Sequence, residues 1–201
     1  MKVVGLCGGS GSGKGKVCDI FLENGIPTID TDAVYHELTK SPGQCLDALA
    51  KEFGKEIITE QGSLNRRMLS DIVFSGEGSE IRLAKLNKIA HYFILNEARN
   101  RLDEYRKQNY SMAVVDAPVL FESGFNVECD VIVSVVADRE TRIARITERD
   151  SISRESAEKR IDAQLSDEEV ISRSDYVIPN NSDIDSLRKR VNAVITQILK
   201  N

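Results

Sequence analysis

Apolar residues follow two rhythms along this chain. Short uninterrupted runs, Val3-Val4-Gly5-Leu6-Cys7 and Met112-Ala113-Val114-Val115, suit strands buried on both faces. Elsewhere the apolar positions repeat at helical spacing, as in Val17, Ile20 and Phe21, or Leu187, Val191, Val194, Ile195 and Ile198. Asn24 and Gly25 supply a stop for the first of these helices, and Ser182 or Asp183 a start for the last. The pattern predicts strands at 3–7, 27–30, 112–116, 131–136 and 176–178 with helices between them. That alternation implies an α/β fold, a five-stranded parallel sheet with helices on both faces.

Between the second and third strands lie about eighty residues, far more than a crossover needs. Their apolar positions read as helices: Leu46, Leu49 and Phe53; Met68, Leu69, Ile72 and Val73; then Leu86, Ile89, Phe93 and Ile94. This stretch reads as a helical insertion that carries a second substrate, with structural padding as the alternative. After the fourth strand, Arg139, Arg142, Arg145 and Arg149 recur at three- and four-residue steps and share a helix face. An average stripe of this kind is a solvated face. Beside a nucleotide site it reads as a lid whose arginines meet phosphate.

The chemistry is concentrated near the first strand. Gly8-Gly9-Ser10-Gly11-Ser12-Gly13-Lys14-Gly15 places five glycines in eight residues between a strand and a helix. Such a loop can turn its amides toward an anion, with Lys14 and the positive end of the following helix adding charge. It matches a phosphate-binding P-loop except at one position: Gly15 stands where the motif has Ser or Thr. The glycine spacing is wrong for a dinucleotide fold. Asp30-Thr31-Asp32 ends the second strand, where a carboxylate can take a hydroxyl proton, hold Mg²⁺ or cap the next helix. Asp116 closes the third strand in the manner of a Walker B acid.

Composition narrows the function further. With 201 residues, 41% hydrophobic and 29% charged, the chain can bury a sizeable core. Its net charge of −5 argues against a nucleic-acid partner. No apolar run approaches the ~20 residues of a membrane span. The absence of a signal peptide and four scattered cysteines point to a reduced, cytoplasmic setting.

Five ordered segments carry a resemblance. They are Val4 to Lys14; Ile29-Asp30-Thr31-Asp32; Gly62-Ser63-Leu64-Asn65-Arg66-Arg67 running into Ile72-Val73-Phe74; Asp116-Ala117-Pro118-Val119-Leu120-Phe121-Glu122; and Arg149-Asp150 with Arg160, Gln164, Asp175 and Asn180-Asn181. In this set the chain resembles the dephospho-CoA kinase family. The resemblance implies a three-layer P-loop kinase core at 1–34, 110–138 and 169–201, a helical CoA-binding insertion at 35–109 and a lid at 139–168. It implies transfer of phosphate from ATP, with Mg²⁺, to the ribose 3′-hydroxyl of dephospho-CoA.

The same resemblance assigns residues. Asp32 would be the base, Lys14 would steady the phosphoryl group, and Arg139 and Arg142 would assist from the lid. Gly9, Ser10, Gly11, Ser12, Gly13, Lys14, Gly15 and Lys16 would wrap the phosphates, with Asn180 near the adenine. Arg66, His91, Pro118 and Leu120 would join Asp32 on the acceptor side, and Asp32 and Asp116 would serve the metal. Family members have Ser-Thr where this chain has Gly15-Lys16, and Pro where Tyr92 follows His91. A monomer is expected, with oligomers left open. Another P-loop nucleoside or nucleotide kinase, or a weakly catalytic nucleotide-binding protein, are the rival readings. A GTPase is disfavoured because Asn87-Lys88-Ile89-Ala90 lacks the acid that reads guanine.

Overall fold

The computed structural model describes residues 1–200. Five strands, β1 (Lys2–Cys7), β2 (Thr28–Asp30), β3 (Met112–Asp116), β4 (Val131–Val136) and β5 (Tyr176–Pro179), form one parallel sheet in the order β2-β3-β1-β4-β5. Both strands read from their apolar runs are interior, with β1 at the centre. β1 pairs with β3 on one side (Val4 opposite Val114) and with β4 on the other (Leu6 opposite Val133). Two aspartates complete the strand starts. Asp130 Oδ2 accepts from Val3 N at 2.7 Å, and Asp175 Oδ2 from Ile132 N at 2.7 Å.

Gly5 interrupts β1 for a steric reason. A Cβ there would lie 2.8 Å from Cys129 Sγ and 3.0 Å from Leu120 Cδ2. One layer over the sheet is built by α1 (Lys14–Glu23) and α9 (Ile184–Lys200). Val17, Ile20 and Phe21 of α1 pack with Leu187, Val191, Val194, Ile195 and Ile198 of α9 against Val4, Leu6, Val133 and Ile178. Each such side chain contributes roughly 1.5–3 kcal/mol when fully buried. Asn24 ends α1 and Gly25 follows at φ 72°, while Asp183 accepts from Ser186 N at the start of α9.

The chain divides into two compact units: Met1–Ile29 with everything from Leu102 onward, and Asp30–Arg101. The second holds α2 (Thr31–Leu38), α3 (Gln44–Phe53), α4 (Arg66–Phe74) and most of α5 (Ser79–Lys107). Its core is Cys45, Leu46, Leu49, Phe53, Ile57, Leu64, Leu69 and Val73. Met68, part of the expected apolar face, turns outward, and Leu69 and Val73 carry the burial of α4. In the first unit β4 leads into α6 (Arg139–Asp150), α7 (Arg154–Asp162) and α8 (Asp167–Ser172). Ile143 and Ile146 of α6 meet Ala157 and Ile161 of α7 in a separate small core. Ser153 and Ser166 cap α7 and α8. No helix among the described residues is long and apolar enough to cross a membrane.

Burial raises three thiols, Cys7 and Cys45 to about 11 and Cys129 to about 12. Their neutral forms are favoured by the fold, so this stability is complete below the ordinary thiol value of 9.0 and is lost as pH rises toward 11. Denaturant unfolding at stepped pH should show stability falling by about 1.4 kcal/mol per pH unit for each thiol in that range. The Cys45→Ala variant should show a shallower fall. An identical slope in that variant would contradict the assignment.

Candidate active site

The loop from Gly8 to Gly13 joins the C-terminal end of β1 to α1. Gly11 and Gly13 have φ of 78° and 93°, in the left-handed region that glycine enters at little cost. Space is as restrictive as conformation. A side chain at Gly9 would collide with the Arg142 guanidinium, and one at Gly13 with Asn180 Nδ2. The loop is thus closed on one side by residues from α6 and from the segment after β5.

Those residues act on its carbonyl groups. Arg142 Nε donates to Ser10 O at 2.9 Å. Arg145 Nη1 donates to Gly11 O at 3.2 Å and Ser12 O at 3.4 Å, and its Nη2 to Asn180 O at 3.0 Å. Asn180 Nδ2 donates to Ser12 O at 2.8 Å. In a trans peptide the N–H points opposite to the C=O. Fastening the carbonyls of Ser10 and Ser12 to these donors therefore turns the amides of Gly11 and Gly13 the other way, which is the arrangement of an anion-binding nest. Ser12 Oγ is buried within the loop and has no hydrogen-bond partner among the described residues. Such an atom calls for a partner outside the chain.

Lys14 begins α1 and places Nζ 2.9 Å from Asp116 Oδ1 at the end of β3. Both side chains are largely buried, at 14% and 12% exposure, so the pair fixes the ammonium at the head of the loop. Asp116 Oδ2 also accepts from Cys18 Sγ at 3.5 Å. The side chain of Lys16 lies on the exposed side of α1, with Asp19 at 3.4 Å. No group of three His, Cys, Asp or Glu side chains among the described residues is placed to hold a metal ion.

The acids after β2 divide their work. Asp30 Oδ1 accepts from Asp32 N at 2.8 Å and Ala33 N at 3.1 Å, so Asp30 caps α2 and Asp32 lies exposed in its first turn. One turn further along α2 is His36, whose Nδ1 lies 2.8 Å from Nη2 of Arg66 at the start of α4; the same Nη2 is 3.3 Å from Thr39 Oγ1. Arginine only donates, so Nδ1 is the acceptor and the ring proton is on Nε2. The guanidinium also lies 5.5 Å from the Tyr35 ring centre. His91 is half-buried on α5.

The arginine stripe separates into different roles. Arg139 forms a bidentate pair with Asp162 of α7, at 2.6 and 3.1 Å. Arg149 and Arg160 both hold Asp150, lowering its carboxyl to about 2. Arg142, at 4% exposure, is braced between Ser10 O, Gln164 and Asp167 rather than lying on a solvated face. Arg145, expected only as one of the lid arginines, and Gln164, expected only as part of a family motif, both bond to the loop. Pro118 is exposed and lines a recess of about 150 Å³ with Gly8, Gly9, Phe121 and Gln164. Leu120, expected on the acceptor side, is fully buried over Gly5 and offers no surface to a ligand.

A family model described as dephospho-CoA kinase matches residues 2–186. A dephospho-CoA kinase of Fusobacterium nucleatum is 38% identical over 94% of this chain and 94% of its own. A solved structure from Thermus thermophilus, TT1252, superposes with a TM-score of 0.79 at 27% identity, covering 98% of this chain and 97% of that one. The dephospho-CoA kinase of Campylobacter jejuni shares the fold, with a TM-score of 0.73 at 24% identity over 100% and 98% of the two chains.

The clamp on the loop is open to direct test. Arg145→Ala removes donors from three carbonyls. Pyrophosphate binding should weaken about tenfold, as expected for the loss of charge-assisted bonds worth roughly 1.5 kcal/mol. Titration calorimetry checks this, and unchanged affinity in a folded variant would remove Arg145 from the site.

Proposed function

The chain belongs to the dephospho-CoA kinase family, and from that premise we propose that it transfers the γ-phosphoryl group of ATP to the ribose 3′-hydroxyl of dephospho-CoA, the last step of coenzyme A synthesis. The observation that carries this reading is the carbonyl clamp, which holds the amides of Gly11 and Gly13 ready for a polyphosphate beside the Lys14 ammonium. The orphaned Ser12 hydroxyl in the same loop fits such a ligand.

In this reading Gly9 to Lys16 bind and orient the phosphates, and Lys14 offsets the charge that develops on the transferring group. Asp32 accepts the proton of the attacking hydroxyl. Its support is its place two residues beyond β2, in a chain where Asp30 already serves as the helix cap. Arg66, steadied by His36 and Tyr35 on the same helix face, holds the anionic part of the acceptor. The insertion at 35–109 binds dephospho-CoA, and 139–168 forms a lid. A bound Mg²⁺ would supply charge neutralisation at the phosphates. Among the residues at hand Asp116 and Asp32 would serve it, with water in place of the hydroxyl absent at Gly15. The enzyme is read as a cytoplasmic monomer.

Release of ADP across a panel of acceptors tests the reading: dephospho-CoA should stimulate it strongly, and adenosine or shikimate should not. Equal stimulation by another hydroxyl acceptor would overturn the substrate assignment. Asp32→Asn should lower kcat by roughly 10²-fold or more with nucleotide affinity nearly unchanged, and near-normal turnover would sink the role of base. Gly15 offers a gain-of-function test, because a Cβ there meets nothing within 4 Å. Gly15→Ser should therefore lower the Mg²⁺ concentration needed for half-maximal rate, whereas an unchanged requirement means that another group already fills that position.

A further inference from the structure

Gln164 follows α7 in the turn that leads to α8, and its own amide closes that turn on Ile161 O at 3.1 Å. Its side chain reaches back across the fold to the glycine-rich loop. Ser10 N donates to Gln164 Oε1 at 2.9 Å, and Arg142 Nη2 donates to the same oxygen at 3.0 Å. Gly9 makes room for this meeting: a Cβ there would lie 3.1 Å from Gln164 Oε1 as well as colliding with the guanidinium.

The donors are unusual for a neutral carboxamide. A backbone amide of a phosphate loop and a nearly buried guanidinium converge on one oxygen, a combination that an oxyanion accepts more strongly than an amide carbonyl. Arg142 does not depend on this contact for its position, since Ser10 O and Asp167 Oδ1 hold two of its other nitrogens at 2.9 and 3.0 Å. The carboxamide also has space to leave. Gln164 lines a recess of about 150 Å³ beside Gly8, Gly9 and Pro118, and another of about 350 Å³ beside Arg139 and Asp162.

We propose that Gln164 Oε1 occupies the place of a nucleotide phosphoryl oxygen at Ser10 N and Arg142 Nη2, so that Gln164 and the nucleotide compete for the same two donors. The proposal rests on the reading of the loop as a nucleotide receptor. It makes Gln164 a positioning residue that keeps both donors aligned and yields them to phosphate. The exchange releases the turn between α7 and α8 from the loop, so filling of the loop is reported to the segment carrying Arg139's partner Asp162 and Arg142's partner Asp167.

A competitor and a simple brace predict opposite signs. Calorimetric titration with ATP and Mg²⁺ should show Gln164→Ala binding about threefold to tenfold more tightly than the parent, the equivalent of one hydrogen bond no longer displaced. Gln164→Glu, which sets a carboxylate against Arg142, should bind at least tenfold more weakly. Gln164→Asn keeps the carboxamide but is too short to reach, and should behave as Gln164→Ala even if the alanine variant folds poorly. Tighter binding should appear in kinetics as a lower KM for ATP. Parent protein that binds ATP while Gln164→Ala and Gln164→Asn bind equally or more weakly overturns the competition alone. A parent that fails to bind ATP overturns the nucleotide reading of the loop, and this proposal with it.

Discussion

Five glycines in eight residues give a loop that loses more conformational entropy on ordering than any other stretch of similar length. From Gly8 to Gly13 its only side chains are those of Ser10 and Ser12, and the Ser12 hydroxyl makes no hydrogen bond among the described residues that would fix it. Its shape therefore depends on donors brought from elsewhere, and Arg142, Arg145 and Asn180 supply them by holding the carbonyls of Ser10, Gly11 and Ser12. The direction of each amide follows from the direction of its carbonyl partner. The ability to receive an anion is thus set less by the glycines than by the residues that pull on their opposite side.

The sheet order explains how those residues arrive. β1 feeds the loop, and β4 lies beside it in parallel, so the helix that follows β4 begins next to the loop and presents Arg142 and Arg145. β5 is the next strand outward and delivers Asn180 one residue past its end. On the other side β3 ends at Asp116, which receives Lys14. Four neighbouring strands, β3, β1, β4 and β5, lead into an acid, an anion nest and two sets of donors because parallel strands all terminate on one edge. The chemistry is a consequence of topology, and the topology rests on apolar runs that are legible in the sequence.

What was legible had strong local causes. The sheet strands, the helix caps at Asn24-Gly25 and Asp183, and the buried face of α9 all follow from short-range patterns and were found within a residue or two of their expected limits. The strand-end acids were legible as a pair with two tasks, and the structure gives the cap to Asp30. The arginine stripe was visible as a helix face, but helical spacing carries no information about which member is buried. Arg142 lies against the loop, whereas Arg139 pairs at the surface with Asp162. Leu120 lay inside a functional motif and proved to be packing over Gly5. Motif membership does not separate a residue that touches a ligand from one that supports its neighbours.

The central claim is that fastened carbonyls present the amides of Gly11 and Gly13 to nucleotide phosphate. Amide resonances of ¹⁵N-labelled protein test it most directly during titration with ATP and Mg²⁺. The account predicts that the Gly11 and Gly13 amide protons move strongly downfield, as expected when a backbone N–H donates to a phosphate oxygen. Saturable nucleotide binding that leaves both resonances in place would contradict it.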